Sequence, residues 1–141
     1  MSDKVLEVAE GSRLRELYPL LDEAVLACAE WAVEGDFTPD VYAKALSGVC
    51  RVWSVSGDNG VAVCTSEQGI LYVNHLYIRV GAPRGLMQKV AEELIDLARE
   101  YGMLEVRFKT QRPAGMKRAL GELGFAPRAM EFQMVLADRG E

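Results

Sequence analysis

The residues best suited to chemistry lie in one alternating segment near the middle of the chain. His75, the only histidine, is followed two positions later by Tyr77. An imidazole with an ordinary pKa of about 6.5 can serve as a general base at neutral pH. Side chains two positions apart share a strand face, so we expect His75 and Tyr77 on one face, with Tyr72 and Asn74 on the other. The alternative is that His75 is only a hydrogen-bonded sheet residue.

A glycine-containing loop, GAPRG, follows this segment and precedes an amphipathic stretch that begins at Leu86. A strand that enters a helix through such a turn directs backbone N–H groups and the positive end of the helix dipole at one spot. That spot suits an anion, typically a phosphate. Arg84 can add a guanidinium that pairs with phosphate oxygens. The alternative is that Gly85 merely permits a tight turn.

Composition predicts one globular domain spanning residues 1–141. Half of the 141 residues are hydrophobic and only five are proline, which argues against disorder. No apolar run reaches the ~18 residues of a membrane span, and the N-terminus lacks an apolar signal region. Three widely spaced cysteines, Cys28, Cys50 and Cys64, lie in apolar runs and indicate reduced core residues. We therefore expect a cytoplasmic protein without a membrane partner.

Charge is distributed unevenly along the chain. Between Arg79 and Arg128 there are ten Lys/Arg and six Asp/Glu, a net of +4, whereas the rest carries six and fifteen, a net of −9. The basic part is either a lip around an anionic ligand or chance clustering on a solvated surface. The net charge of −5 argues against broad, salt-driven binding of nucleic acid.

Hydrophobic periodicity predicts a mixed α/β fold. Strands are predicted at residues 4–8, VCRVWSV, VAVCT, ILYVNHLYIRV, LEVRFKT and 130–136. Helices are predicted after Pro19, from Thr38 to near Gly48, from Leu86 to Tyr101 and around Met116–Leu123. One strand–helix–strand crossover makes the fourth and fifth strands parallel, and this connection is expected to be right-handed. The remaining sheet is mostly antiparallel, with helices on both faces.

Two helices carry signals for their ends. Thr38 is expected to cap its helix, with Pro39 in the first turn. The later helix has an apolar stripe at helical spacing, and Gly102 is expected to follow its C-terminus. The stripe consists of Leu86, Val90, Leu94, Leu97 and Tyr101.

This element order, with the motifs HLYIRVGAPRGLM and ELGF, resembles the Gcn5-related N-acetyltransferase (GNAT) superfamily over nearly the whole chain. The resemblance implies an acyl-CoA N-acyltransferase fold, with acetyl-CoA or coenzyme A as co-substrate and a small-molecule or protein amine as acceptor. It also implies pantetheine contacts from the main chain of Ile78 and Val80, and many relatives form homodimers. The phosphate turn of the family aligns with residues 82–87, with Ala82 in the first place, Gly85 at the first glycine and Met87 at the final position. The resemblance implies cofactor contacts there from Arg84, Gly85, Leu86 and Met87.

The chain departs from the family pattern at several positions. Ala82 and Met87 stand at the outer positions of the turn, and a side chain at Met87 can crowd a diphosphate. Leu120 replaces the tyrosine that often donates a proton, and Pro113 replaces an asparagine. Neither can donate one, so we expect a degenerate active site in which His75 and Tyr77 are the catalytic candidates.

The segment FTPDVYAKALSGVCRVWSV and the closing KRALGELGFAP also resemble small GNAT-like proteins of short-tailed bacteriophages. Three functions therefore remain open. The first is an acyl-CoA-dependent N-acyltransferase. The second is a catalytically silent interaction module with virion proteins as partners. The third is a nucleic-acid modifier, favoured by the basic residues Arg107, Lys109, Arg112, Lys117 and Arg118. No metal site is expected, because one histidine and scattered cysteines leave no ligand set.

Overall fold

A seven-stranded mixed sheet organises the chain, as seen in a computed structural model that describes residues 4–29, 37–109, 126–128 and 131–136. The strands are β1 (Leu6–Ala9), β2 (Arg51–Val55), β3 (Gly60–Glu67), β4 (Ile70–Ile78), β5 (Glu105–Lys109), β6 (Ala126–Arg128) and β7 (Glu131–Val135). The helices are α1 (Gly11–Glu16), α2 (Tyr18–Ala29), α3 (Thr38–Leu46) and α4 (Leu86–Glu100). The spatial order is β1-β2-β3-β4-β5-β7-β6, in which only β4 and β5 run parallel. The expected mixed α/β fold, with its parallel fourth and fifth strands, is confirmed.

Helix α4 covers one face of the sheet, as its apolar stripe predicts. Leu86, Val90 and Leu94 are buried against side chains of the central strands, including Val73 and Phe108. Burial of large aliphatic side chains contributes about 1.5–3 kcal/mol each, so this layer holds the N-terminus of α4 firmly beside the end of β4.

Helices α1, α2 and α3 cover the opposite face. Their buried residues, among them Leu14, Leu21 and Val41, pack on Val61 and Val63 of β3. Helices therefore lie on both faces of the sheet, as expected. Cys50 and Cys64 are buried in the core, as expected, and no disulfide joins the two; the side chain of Cys28 lies outside the described set.

A β-bulge interrupts the pairing of β3 with β4. Cys64 lies opposite Val73, and the adjacent Val63 lies opposite His75, so Asn74 is an extra residue in β4. The bulge changes which side chains of β4 face which helix layer. Before it, Leu71 and Val73 pack under α4; after it, Leu76 and Ile78 do so. The residues of β4 that face α4 are therefore odd-numbered before the bulge and even-numbered after it.

Three local expectations need correction or lie outside the description. Phe37, not Thr38, occupies the N-cap of α3, and the Thr38 hydroxyl instead donates to Asp22 Oδ1 over 2.6 Å. Tyr101 is 63% exposed because it is the C-cap, where the chain leaves the helix, although Gly102 follows in the expected left-handed conformation. The helix expected around Met116–Leu123 falls outside the described residues. No helix in the described segments combines the length and apolar character needed to cross a bilayer.

Candidate functional site

Among the described residues, the parallel strands β4 and β5 pair over four positions. Ile70–Val73 lie opposite Glu105–Phe108, and β4 then continues for five more residues to Ile78. Within residues 70–78 and 105–109, the last pair is Val73 with Phe108, immediately before the bulge at Asn74. The described pairing therefore ends at the point where a bulge bends β4 and increases its local twist.

The main chain of β4 beyond the bulge presents polar groups toward this opening. The N–H of Arg79 donates to the carbonyl of Asn59 across the β3 side over 2.8 Å. Because successive residues of a strand point their N–H and C=O groups to opposite edges, those of Leu76 and Ile78 point away from β3. They face the β5 side of β4, where no pair is seen between the described residues beyond Val73. Val80 follows Ile78 and is fully exposed.

The loop after β4 delivers the chain to the N-terminus of α4. Gly81 and Gly85 both have positive φ angles, +91° and +83°, and the space where their Cβ atoms would lie is open. Gly85 is the N-cap, and the first intrahelical bond runs from the Lys89 N–H to the Gly85 carbonyl over 3.0 Å. The N–H groups of the first turn therefore have no acceptor inside the helix. Arg84 is exposed beside them.

Leu86 and Met87 begin the helix in different environments. Leu86 is buried in the core under α4, which fixes the direction of the helix axis, whereas Met87 is half-buried. Ala82 is partly buried against the same core and ties the loop to it. The loop is thus held by apolar contacts on one side while its glycines stay open on the other.

An ionic cluster joins the end of β4 to α2. Arg79 donates two hydrogen bonds to the carboxylate of Glu23, from Nη2 to Oε2 over 2.6 Å and from Nε to Oε1 over 3.3 Å. Tyr77 donates its hydroxyl to the same Oε1 over 3.3 Å. The side chains of Arg79 and Glu23 are each 41% exposed, so the cluster lies at the surface end of the site.

This cluster sets the protonation states of its members. The hydrogen bonds from Arg79 are the main reason that the pKa of Glu23 lies below its usual value. Burial, followed by the charge of Glu23, raises the pKa of the Tyr77 phenol. At neutral pH the carboxylate is therefore ionised and the phenol neutral, which leaves Tyr77 a proton donor. Sequence reasoning did not identify Glu23, since nothing in the sequence indicates that α2 crosses the end of β4.

His75 and Tyr77 share a face, as expected, but the expected separation from Tyr72 is wrong. His75 lies opposite Val63 and Tyr77 opposite Val61, both of which belong to the α2 layer. Tyr72 lies opposite Thr65, whose neighbour Cys64 packs under α4. Tyr72 therefore also faces the α2 side, because the extra residue Asn74 cancels one alternation of the strand.

Their surroundings differ. His75 is buried, with 7% of its surface exposed, directly beyond the bulge. Tyr72 lies further back, where the guanidinium carbon of Arg107 stands 5.7 Å from its ring centre. Arg107 in turn pairs with Glu105 over 3.0 Å. The structure thus brings His75, Tyr77, Arg79 and Glu23 to one end of β4 and leaves Tyr72 behind them.

Other predicted site residues lie outside the described part. Pro113 and Leu120 belong to that group, as do three of the five basic residues considered for nucleic-acid contact: Arg112, Lys117 and Arg118. Among the described residues, no group of three or more His, Cys, Asp and Glu side chains is placed to hold a metal ion.

Comparisons with known proteins identify the fold. No family model and no curated protein sequence matches the chain. Solved structures do match over nearly its full length. The YncA protein of Salmonella typhimurium, described as an acetyltransferase and solved with its cofactor acetyl-CoA, is 20% identical, with a TM-score of 0.68 over 96% of this chain and 95% of that one.

Two further structures agree. A GNAT-family protein of Desulfovibrio desulfuricans is 12% identical, with a TM-score of 0.72 over 94% and 98% of the two chains. The spermidine N-acetyltransferase of Vibrio cholerae, solved with CoA and spermine, is 9% identical, with a TM-score of 0.68 over 92% and 94%. Identities this low speak for the architecture alone. The chain has the fold of the Gcn5-related acyl-CoA N-acyltransferases.

Proposed function

We propose that this protein is an acyl-CoA-dependent N-acyltransferase that transfers an acetyl group to an amine. The observation that carries the proposal is the parting of β4 and β5 after Val73, next to a loop and helix N-terminus suited to a diphosphate. The opening, the exposed strand edge and the anion-binding turn follow one another along a single stretch of chain. That order matches the order of thiol arm and diphosphate in coenzyme A.

The donor would bind along this stretch. Main-chain groups of Ile78 and Val80 would hydrogen-bond the amides of the pantetheine arm, as strand edges bind extended ligands. The diphosphate would accept hydrogen bonds from the N–H groups at Gly85, Leu86 and Met87, with Arg84 adding a charged contact. A helix N-terminus stabilises an anion by about 0.3–1 kcal/mol at an exposed site, so the guanidinium of Arg84 contributes a substantial share.

The reaction would take place beside the bulge. The amine nitrogen attacks the thioester carbonyl carbon, the C–S bond breaks, and the thiolate of coenzyme A leaves. His75 would accept the proton lost by the amine, directly or through one water molecule. Tyr77, neutral at working pH, would turn its hydroxyl from Glu23 to the departing thiolate and donate its proton; the phenolate would then regain a proton from the imidazolium of His75 through solvent. Glu23 would position the phenol, and Arg79 would hold Glu23 in place.

Calorimetry with acetyl-CoA tests the donor site. We expect micromolar binding that weakens at least tenfold in Arg84→Ala, whereas Arg15→Ala, an exposed arginine of α1, leaves it unchanged. Transfer is then measured by mass spectrometry, with spermine and a lysine-containing peptide as acceptors. An absence of heat at millimolar acetyl-CoA would contradict the proposal. Tight binding without transfer to any amine would instead support a catalytically silent protein. The resemblance to bacteriophage virion-associated proteins then implies a role in binding a partner.

A further inference from the structure

A second cavity lies under the C-terminal end of α4, away from the opening between β4 and β5. Its volume is about 290 Å³. It contacts Leu71, near the start of β4, whereas the proposed donor site lies at Ile78 and beyond. At ~3.3 Å per residue, these two positions are about 23 Å apart along the strand. The cavity is therefore separate from the proposed acyl-transfer site.

About half of the surface of this cavity is apolar. Trp53, Leu71, Leu97, Ala98 and Met103 form this apolar part, and the exposed side chains of Val49 and Tyr101 lie at the edge of the cavity. An apolar cavity of about 150 Å³ is large enough for benzene. Twice that volume can hold a phenyl ring with a short chain, or an alkyl chain of similar size.

One end of the cavity is polar and positively charged. Arg51 lies opposite Cys64, so its side chain is on the α4 face of the sheet. Ser66, two residues beyond Cys64 on the same face, is its diagonal neighbour. Both residues line the cavity and both are exposed. Within the described ranges, Arg51 forms no ion pair or side-chain hydrogen bond, so its guanidinium is available to a ligand.

We propose that this cavity binds a small amphipathic carboxylate, such as an aryl- or alkyl-substituted monocarboxylic acid. The apolar body packs between Trp53 and Leu97, and the carboxylate pairs with the Arg51 guanidinium and accepts a hydrogen bond from the Ser66 hydroxyl. Arginine favours this ligand class because its planar fork matches a carboxylate with two parallel hydrogen bonds.

Binding of 3-phenylpropionate tests the proposal, with 3-phenylpropanamide as the neutral counterpart. The chain has two tryptophans, so the Trp31→Phe background reports Trp53 fluorescence alone. We expect submillimolar binding of the acid with a change in Trp53 emission, and at least tenfold weaker binding of the amide. Arg51→Met should remove that preference, whereas Arg15→Met should not. Binding should persist in saturating coenzyme A.

Three results would overturn the proposal. The first is that the acid does not bind at ten times the expected dissociation constant, although circular dichroism shows that the protein is folded. The second is equal affinity for acid and amide, and the third is displacement of the acid by coenzyme A. Because the assay needs no acyl transfer, its outcome is independent of the proposed activity.

Discussion

Val73 and Phe108 form the last pair between β4 and β5 that the described residues show, and the bulge residue Asn74 follows immediately. The end of this pairing and the start of the bulge thus fall at adjacent positions. Beyond this point, five residues of β4 have no partner among the described residues of β5, and the bulge turns His75 and Tyr77 to the α2 face. The site depends on this relationship, because without the bulge the two side chains would lie under α4.

The first prediction concerns the turn at Gly85. Gly85→Ala forces an alanine into the left-handed region, which costs about 1–2 kcal/mol, and should also disturb the N–H groups that would bind the diphosphate. Gly48, at the end of α3, has the same φ of +83° and equally open surroundings. Gly48→Ala should lower stability by a similar amount. Only Gly85→Ala should also weaken acetyl-CoA binding in calorimetry; equal affinities in the two variants would count against the turn as an anion site.

The second prediction concerns His75. If it accepts the amine proton, His75→Gln should lower the rate of acyl transfer by about a hundredfold or more. Acetyl-CoA affinity should stay the same, because the donor is held by main-chain groups elsewhere. An unchanged rate in a folded variant would leave His75 with only a structural role in the α2 layer.

The third prediction concerns Glu23 and pH. Its pKa lies below the usual value, chiefly through hydrogen bonds from Arg79. A carboxylate of this kind stabilises the fold above its unfolded-state pKa, and the stabilisation is lost as pH falls through the folded-state value. Arg79→Met should raise the pKa of Glu23 toward its usual value. Carbon NMR of the carboxyl group during a pH titration measures this change. A titration that does not move would show that Arg79 is not the cause.

The fourth prediction concerns the attachment of the N-terminal strand to α4. The two carboxylate oxygens of Glu93 accept hydrogen bonds from the backbone N–H groups of Val5 and Leu6, over 2.8 and 3.0 Å. Removing the acceptor in Glu93→Ala should lower the free energy of unfolding by about 1–3 kcal/mol. Urea denaturation measures this loss. Glu92→Ala, at the exposed neighbouring position, should change stability by less than about 0.5 kcal/mol.

Local patterns in the sequence were enough to predict the main elements. Apolar spacing identified α4 and most of its buried stripe, glycines marked the ends of helices, and strand-like runs predicted every strand except the short β6. The sequence likewise predicts the turn before Leu86, because a turn between a strand and a helix needs a residue that tolerates positive φ, and Gly85 is such a residue. These features depend on near neighbours in the chain, so the sequence alone contains them.

Tertiary structure decided the composition of the site. The bulge at Asn74 arises from the mismatch of β3 against β4, and no local pattern in β4 reveals it; Tyr72 was therefore placed on the wrong face. Glu23 reaches Arg79 only because α2 packs across the end of β4, 56 residues away in sequence. Strand register and helix packing depend on contacts between residues that are distant in sequence. The arrangement that forms is the one whose three-dimensional contacts bury the most apolar surface.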